Sequence, residues 1–357
     1  MRYVSIDDLI PGMKLSQPLR DPSGRMLLGE NCILTEHYLN KLISFGFGGI
    51  YIDDEWSRDV EVAPLISPQL KSDAMESVQK MDVDACVDVA KNIVDEMLNK
   101  GTFALDMTDL RTYDNYTYAH SVNVAVVSCI IGMGYRMSEK DMEGLVIAGL
   151  LHDLGKLLIP GEILNKKGRL TAEEFAIMKG HALKSYELLA DRWEISTFVK
   201  TAVKFHHENI DGSGYPDGIK GDLHTSYIKI LHVADVYDAL VSKRPYKKPF
   251  SPHEVVEYMM GNCGTLFDKE TVDVLLKYVS LYPKGTEVNL SDGRIALVIE
   301  NSGEHNMRPI VRTKDGEDID LFNNLSLTIM DPRDNDEEIM KSEMERLKML
   351  EEAKKVK

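Results

Sequence analysis

Residues 142–153 read MEGLVIAGLLHD, an apolar run that ends on an adjacent histidine and aspartate, His152 and Asp153. Apolar residues recur in this run at three- and four-residue steps, which is the spacing of one face of a helix. The same spacing returns over residues 173–189 and 227–240, with glycine, proline and asparagine between the segments. The sequence therefore predicts an all-α domain around this run, over residues 101–282.

Short apolar runs divided by turn residues lie on both sides of the helical region and predict strands. The predicted fold class is multidomain, with a central all-α domain flanked by a small N-terminal β-rich module and a small C-terminal β module. The predicted parts are a β-rich module at residues 1–60 with one helix at 36–45, a linker and connecting helix at 61–100 with the helix from about 73 to 98, the all-α domain, a β module at 283–332, and a charged helix or tail at 333–357.

Composition limits the possible functions. The 357 residues are 43% hydrophobic, enough for two or three packed domains. The 58 acidic and 42 basic residues give a formal charge of -16, which argues against binding to a nucleic acid polymer or an anionic membrane surface. Scattered cysteines, no secretory signal and no apolar run of about 18 residues predict a cytoplasmic protein.

Seven side chains of the helical domain are candidate metal ligands: His120, His152, Asp153, His181, His206, His207 and Asp235. Each alone is explained as well by a structural role, but half of the ten histidines occupy these positions. Imidazole and carboxylate donors without thiolates favour iron, manganese, nickel or zinc. Asp153 beside His152 suits a bridge between two ions, and such a pair supplies hydroxide near neutral pH. The pattern predicts a dinuclear hydrolytic site.

Lys156 follows Asp153 by three residues and is expected on the same helical face. Its ammonium group could reach a non-bridging oxygen of a phosphate placed at the metal ions. The alternative interpretation is a surface lysine beside the helix end at Gly155.

Several motifs occur in a fixed order along the chain: HSVNV at 120–124, HDLGK at 152–156, His181, HHE at 206–208, DGSGYP at 211–216, VADVYDAL at 233–240 and RPY at 244–246. Together, over roughly residues 110–280, they resemble the HD-GYP phosphodiesterases, a branch of the HD superfamily of metal-dependent phosphohydrolases. The resemblance implies a central HD-type domain. It also implies hydrolysis of cyclic di-GMP to linear pGpG, with GMP as a further product left open.

The resemblance also assigns roles by position. His120, His152, Asp153 and Asp235 would hold one metal ion, and His181, His206 and His207 the other, with Asp153 bridging. Asp153 and Lys156 would be catalytic, and Lys156, Asp238, Arg244 and Lys247 would contact the substrate. The loop with Gly214, Tyr215 and Pro216 is linked in the family to substrate access or to messenger-synthesising GGDEF-type domains.

Tyr116 stands where some family members place a glutamate that binds a third metal ion, so two ions are expected here. Iron or manganese is preferred, with nickel or zinc open. Two alternatives to the cyclic di-GMP phosphodiesterase stay open: a cyclic dinucleotide sensor or partner-docking module with little turnover, and a phosphodiesterase for another cyclic dinucleotide. A homodimer supported by the C-terminal tail is a further possibility.

Overall fold

The computed structural model describes residues 1–20, 25–100, 105–106, 116–166, 168–242, 250–301 and 307–330, and side chains at 105–106 and 116–117 are left out. Within these ranges, helices occupy the middle of the chain and strands lie at both ends. The prediction of a central helical domain with flanking strands is confirmed at this level.

The N-terminal segment forms a small sheet with one helix. Its elements are β1 (Arg2–Ser5), β2 (Lys14–Leu15), β3 (Leu19–Arg20), β4 (Met26–Leu28), α1 (Glu36–Ser44) and β5 (Gly49–Asp53). β5 lies between β1 and β2 and pairs antiparallel with both, while β3 and β4 form a separate hairpin. Leu42 of α1 packs with Ile50 and Ile52 of β5 in one buried cluster, which is why this short segment has a core of its own.

The central part consists of helices. They are α2 (Pro68–Gln79), α3 (Val83–Lys100), α4 (Tyr116–Gly134), α5 (Glu139–Leu151), α6 (Gly161–Leu164), α7 (Ala172–Leu189), α8 (Thr197–Phe205), α9 (Ser226–Val241), α10 (Pro252–Gly261) and α11 (Lys269–Tyr278), with a short strand β6 (Leu105–Asp106) before α4. Side-chain caps begin several of them, including a capping box between Thr171 and Glu174 on α7. α4 and α5 are apolar nearly all round and lie at the centre of one continuous core, as expected for helices covered on every side.

The connecting helix differs from its prediction. A single helix was expected from about residue 73 to residue 98, but two helices, α2 and α3, occupy this region. The break falls at Met81, which has a positive φ of 54° and so ends the α-helical geometry after Lys80. The Asp82 side chain then accepts a hydrogen bond from the Ala85 N–H and begins α3.

Of the six C-terminal strands in the described residues, five form an antiparallel sheet. The six strands are β7 (Val279–Ser280), β8 (Glu287–Leu290), β9 (Ile295–Glu300), β10 (Ile310–Thr313), β11 (Asp318–Asp320) and β12 (Ile329–Met330). The sheet order is β11-β10-β9-β8-β12, and β7 pairs instead with β6 in parallel. Buried residues alternate along β8 and β10, so one face of this sheet covers a core.

The two β regions contact each other. The indole Nε1 of Trp56 donates a hydrogen bond to the Thr313 carbonyl oxygen at 3.1 Å. Arg312 pairs with Asp59 at 2.6 Å, and the Tyr3 N–H donates to the Gly285 carbonyl oxygen at 2.8 Å. The N-terminal and C-terminal β regions were expected as separate modules. The contact between them was not predicted, and it joins residues more than 250 positions apart.

A search of the described helices for a membrane span found none that is both long enough and apolar enough. The predicted charged tail at 333–357 lies outside the described residues.

Candidate metal centre

The seven predicted ligands come from five helices or their ends. They are His120 on α4, His152 and Asp153 directly after α5, His181 on α7, His206 and His207 directly after α8, and Asp235 on α9. All except His207 are buried. Six of them form two groups whose donor atoms lie within 4.8 Å of one another, with His120, His152 and Asp153 in one group and His181, His206 and His207 in the second. The geometry brings together all seven predicted ligands.

Asp153 lies between the two groups and faces each with a different oxygen. Its Oδ2 is 3.6 Å from His120 Nε2 and 3.3 Å from His152 Nε2. Its Oδ1 is 3.3 Å from His181 Nε2 and 3.9 Å from His206 Nε2. This is the arrangement that a carboxylate needs in order to bridge two ions.

Asp235, on α9, lies close to one histidine of each group. Its Oδ1 is 3.0 Å from His120 Nε2, and its Oδ2 is 3.7 Å from His207 Nδ1. In the second group, His181 Nε2 is 3.4 Å from His206 Nε2 and 3.2 Å from His207 Nε2. Two ligand atoms that each lie about 2.1 Å from one ion are separated by about 3.0 to 3.4 Å, so the observed spacings fit shared ions.

The ring nitrogens that face away from the centre are held by hydrogen bonds. His120 Nδ1 bonds to Asp238 Oδ2 at 2.7 Å, His152 Nδ1 to the Gly149 carbonyl at 2.7 Å, His181 Nδ1 to the Met178 carbonyl at 2.7 Å, and His206 Nδ1 to the Val203 carbonyl at 2.8 Å. A carbonyl oxygen only accepts, so each Nδ1 bonded to one must carry the hydrogen. In the neutral form of His152, His181 and His206, Nε2 therefore presents a lone pair to the centre, as metal ligation requires.

Burial keeps most of this cluster in the ligating protonation state. It lowers the pKa of His181 and holds the pKa of His206 and His207 well below the usual range. For Asp153, burial alone would raise the pKa, but His152 and Lys156 outweigh it and hold the pKa well below its usual range. These three histidines are neutral and Asp153 is anionic near neutral pH.

His120 behaves differently. Burial alone would lower its pKa, but hydrogen bonds with Asp235 and Asp238 outweigh burial and raise the pKa to about 9. In the metal-free protein a proton therefore occupies the position that an ion would take.

Two buried atoms of the candidate ligands lack hydrogen-bond partners among the residues that the structure describes. They are His152 Nε2 and Asp153 Oδ1, and both point into the cluster. Buried polar atoms are normally satisfied, so unpaired donor atoms that face one another are what a metal site leaves behind without its ion. The residues present therefore fit divalent metal ions.

Gly155 allows the two groups to approach. A Cβ at this position would lie 2.1 Å from the His181 carbonyl oxygen and 2.7 Å from the Ser185 nitrogen. The Gly155 N–H also donates to Ser185 Oγ at 2.8 Å. Only glycine permits this contact, which sets the distance between Asp153 and α7.

Lys156 lies in a 3-10 turn over Leu154–Leu158, directly after the bridging aspartate. Its Nζ forms an ion pair with Asp153 Oδ2, and its side chain is 24% exposed. The ammonium group is thus at the edge of the centre, as a phosphate contact requires, and is not a remote surface lysine.

The position of Asp238 does not fit the substrate contact that was expected of it. The residue is fully buried on α9. One carboxylate oxygen bonds to His120 Nδ1, and the other accepts from Asn123 Nδ2 at 2.8 Å and Ser242 Oγ at 3.0 Å. Because both oxygens are engaged inside the protein, Asp238 orients a metal ligand and does not reach a substrate.

Three other residues that the sequence singled out lie wholly or partly outside the described structure. Arg244 and Lys247 lie outside the described residues, and the side chain of Tyr116 is outside them as well.

The loop after the two adjacent histidines is fastened by Glu208, to which the sequence analysis gave no role. Its buried carboxylate accepts from the backbone N–H groups of Asp217, Gly218 and Ile219 at 2.7, 2.8 and 3.1 Å. Its place directly after two ligands and before a glycine-rich turn was the available signal, because such turns leave backbone donors without partners.

Tyr215 in this loop contacts the centre. Its ring lies 4.7 Å from the ring of His207, at an interplanar angle of 30°. Gly214 permits this, because a Cβ there would lie within 2.5 Å of backbone atoms of His207, Glu208 and Asn209. Gly214 and Tyr215, two of the predicted loop residues, thus form a wall beside His207.

Comparison with known proteins agrees with this geometry. Residues 112–271 match the model of the HD domain family. The chain is 32% identical, over 71% of its length, to a cyclic di-GMP phosphodiesterase of Pseudomonas aeruginosa, of which the match covers 63%. It is 38% identical, over 46% of its length, to a cyclic di-GMP phosphodiesterase response regulator of Xanthomonas campestris pv. campestris, of which 44% is covered.

A 3'3'-cGAMP-specific phosphodiesterase of Vibrio cholerae is also similar, at 36% identity over 45% of this chain and 31% of the relative. The chain spans less than two thirds of the length of each of these relatives.

Proposed function

We propose, on the premise that residues 112–271 belong to the HD domain family, that this chain is a metal-dependent phosphodiesterase of the HD-GYP type. Its substrate would be cyclic di-GMP and its product linear pGpG, with GMP as the product of a second hydrolysis. The observation that carries the proposal is the position of Asp153, whose two oxygens face two separate groups of histidine nitrogens.

The proposed ligand sets follow these two groups. His120, His152, Asp153 and Asp235 would hold one ion, and His181, His206 and His207 the second, with Asp153 shared. The nitrogen and oxygen donors suit iron or manganese, with nickel or zinc as alternatives. Two such ions would supply a hydroxide nucleophile near neutral pH and stabilise the leaving oxygen.

The chain's own residues have distinct parts in this reaction. Asp153 keeps its charge in a buried position and fixes the distance between the two histidine groups. Lys156, next to Asp153, would bind a non-bridging oxygen of the scissile phosphate as a charged donor. Arg244 and Lys247 are proposed as substrate contacts from the family resemblance.

The relatives support the substrate class and also favour a second candidate. Two of them are named as cyclic di-GMP phosphodiesterases, whereas a third is named as specific for 3'3'-cGAMP. Both substrates are cyclic dinucleotides, so the metal centre serves either. The specificity would depend on contacts with the bases, and 3'3'-cGAMP is the second candidate substrate. The loop with Gly214, Tyr215 and Pro216 is a proposed contact for GGDEF-type domains, and a homodimer is a proposed assembly.

The deciding experiment measures turnover together with metal content. The full chain, purified without oxygen and loaded with Fe²⁺ or Mn²⁺, should convert cyclic di-GMP to pGpG, as followed by ion-exchange chromatography. Asp153→Asn should reduce the rate to the buffer background, while the exposed Asp191→Asn serves as a matched control and keeps it.

Equal turnover by wild type and Asp153→Asn would refute the site. Binding without turnover at full metal content would favour a sensor. A higher kcat/KM for 3'3'-cGAMP than for cyclic di-GMP would favour the second substrate.

A further inference from the structure

The proposed substrate is larger than the metal centre. A cyclic dinucleotide has two phosphodiester groups and two bases, and the proposed reaction places one phosphodiester at the two ions beside Asp153. On a chain with a net charge of -16, the second phosphate needs a cation of its own. The inference that follows rests on the proposed function and asks which residues bind this second half.

The exposure of the ligands indicates where the centre opens. The side chain of His207 is 21% exposed, whereas those of His120, His152, His181 and His206 are nearly or fully buried. A substrate must therefore enter beside His207, and the part of it that extends out of the centre lies near that residue.

A row of three side chains leads outward from His207. Tyr215 packs on the His207 ring, and Lys179 Nζ lies 5.4 Å from the centroid of the Tyr215 ring. The same Nζ lies 4.8 Å from the centroid of the Phe175 ring, one helical turn earlier on α7. Phe175 is 47% exposed, so part of its ring is open to solvent and to a ligand.

Lys179 differs from other lysines near the site in its partners. Lys156 pairs with Asp153, Lys166 with Glu174, and Lys204 with Asp217. No described carboxylate lies within ion-pairing distance of Lys179, whose Nζ lies over the two aromatic rings of Phe175 and Tyr215. Its charge is available to an anionic ligand.

We propose that Phe175, Lys179 and Tyr215 form a subsite for the half of a cyclic dinucleotide that lies outside the metal centre. Lys179 binds the second phosphate, and Phe175 stacks on a base. A lysine between aromatic faces suits this ligand, because phosphates select cations and every nucleobase has a face that stacks on an aromatic ring. Tyr215 holds the lysine beside His207.

The test compares a substrate that has a second half with one that lacks it. For Lys179→Gln, the KM for cyclic di-GMP should rise by about tenfold, the value of one charge-assisted contact. The rate on bis(p-nitrophenyl) phosphate, which has a single phosphate, should change by less than about twofold. Phe175→Leu, which keeps the bulk and removes the ring, should also raise the KM by about tenfold. Lys179→Arg should restore most of the affinity.

The matched control is Lys140→Gln. Lys140 is exposed at the start of α5, so it lies roughly 18 Å along the helix from His152 and should leave both substrates unaffected. If Lys179→Gln slows both substrates equally, the lysine only supports the wall at Tyr215 and the subsite is refuted.

Binding separates this proposal from the proposed function. A phosphorothioate analogue of cyclic di-GMP, which resists hydrolysis, should bind Lys179→Gln about tenfold more weakly than wild type in calorimetry. Weaker binding of the variant without any turnover by wild type would support the subsite and refute the enzyme. Equal binding by both proteins would refute the subsite while leaving the enzyme intact, and no binding by wild type would refute both.

Discussion

At the scale of single residues, His120 links the metal centre to the protein interior. Its Nε2 faces Asp235 and its Nδ1 bonds to Asp238, and these two carboxylates raise its pKa to about 9 although burial alone would lower it. Most of its neighbours in the cluster have lowered pKa values, so His120 is the ligand at which a proton competes with the ion near neutral pH.

Metal affinity should consequently depend on pH with a defined sign. An ion must displace the His120 proton, so the affinity for Mn²⁺ should rise with pH and level off above about 9. In Asp238→Asn the proton is held less strongly, so the plateau should begin at lower pH. The loss of the orienting carboxylate should also weaken binding by about 10- to 100-fold. Chelator competition between pH 6 and pH 10 measures both effects.

The exposed Asp191→Asn provides the comparison for that variant. A flat pH profile in wild type, or an unchanged profile in Asp238→Asn, would contradict the role assigned to this carboxylate.

The misplacement of Asp238 has a physical reason. An aspartate three residues after a ligand is expected on the same helical face, and the sequence pattern alone does not distinguish the inner side of that face from the side open to substrate. The distinction depends on Asn123 and Ser242, whose side chains occupy the second oxygen. The seven candidate ligands share the donor chemistry of a metal site, which is why the sequence pattern could single them out.

At the scale of structural elements, the loop over residues 208–220 is organised by Glu208. Three consecutive backbone N–H groups converge on one carboxylate that no water reaches. The Lys204–Asp217 ion pair adds a second attachment at the surface, which contributes little by itself. The wall beside His207 therefore depends mainly on one buried anion.

Glu208→Gln should loosen this loop. The amide keeps one oxygen acceptor and places an N–H₂ group against a backbone donor, so we expect about 1 to 3 kcal/mol of lost stability. The turnover of cyclic di-GMP should fall by a larger factor than the folded fraction, because Tyr215 loses its position beside His207. Urea unfolding together with rates measured on the same samples compares the two losses.

Glu187→Gln, on the exposed side of α7, is the matched control. Turnover that follows the folded fraction alone would assign Glu208 a purely structural role.

At the scale of the whole molecule, the N-terminal and C-terminal β regions share one contact region. The cationic groups of Arg2 and Lys314 each lie near the Trp56 ring, and the Trp56 indole donates to the Thr313 carbonyl oxygen. These contacts join the two β regions without involving any candidate metal ligand.

Trp56→Phe removes that hydrogen bond and should lower the free energy of unfolding by about 1 kcal/mol. The metal content and the rate per folded molecule should not change, because Trp56 belongs to the contact between the two β regions. Trp193→Phe is the control, since Trp193 is 91% exposed and its replacement should cost less than about 0.5 kcal/mol. Equal stability losses in the two variants would show that the Trp56 contact is not specific.

Sequence reasoning succeeded where the period of the apolar residues was decisive, and the central helical domain with flanking strands is confirmed. The match of residues 112–271 to the HD domain family agrees with the resemblance to HD-GYP phosphodiesterases. Sequence reasoning failed at the helix break after Lys80. The apolar period continues through this point, but Met81 has a positive φ that interrupts the helix. Sequence reasoning also missed the pairing of Trp56 with Thr313, because nothing local in either segment specifies a distant partner.

If two ions share the Asp153 carboxylate as proposed, this affects how the protein fills with metal. The first ion to bind would fix the orientation of that carboxylate and so would prepare the second position. When metal is scarce, we therefore expect molecules to be either fully loaded or empty, with few half-filled intermediates. A shortage in the cell would lower the number of competent molecules and leave the rate of each one unchanged.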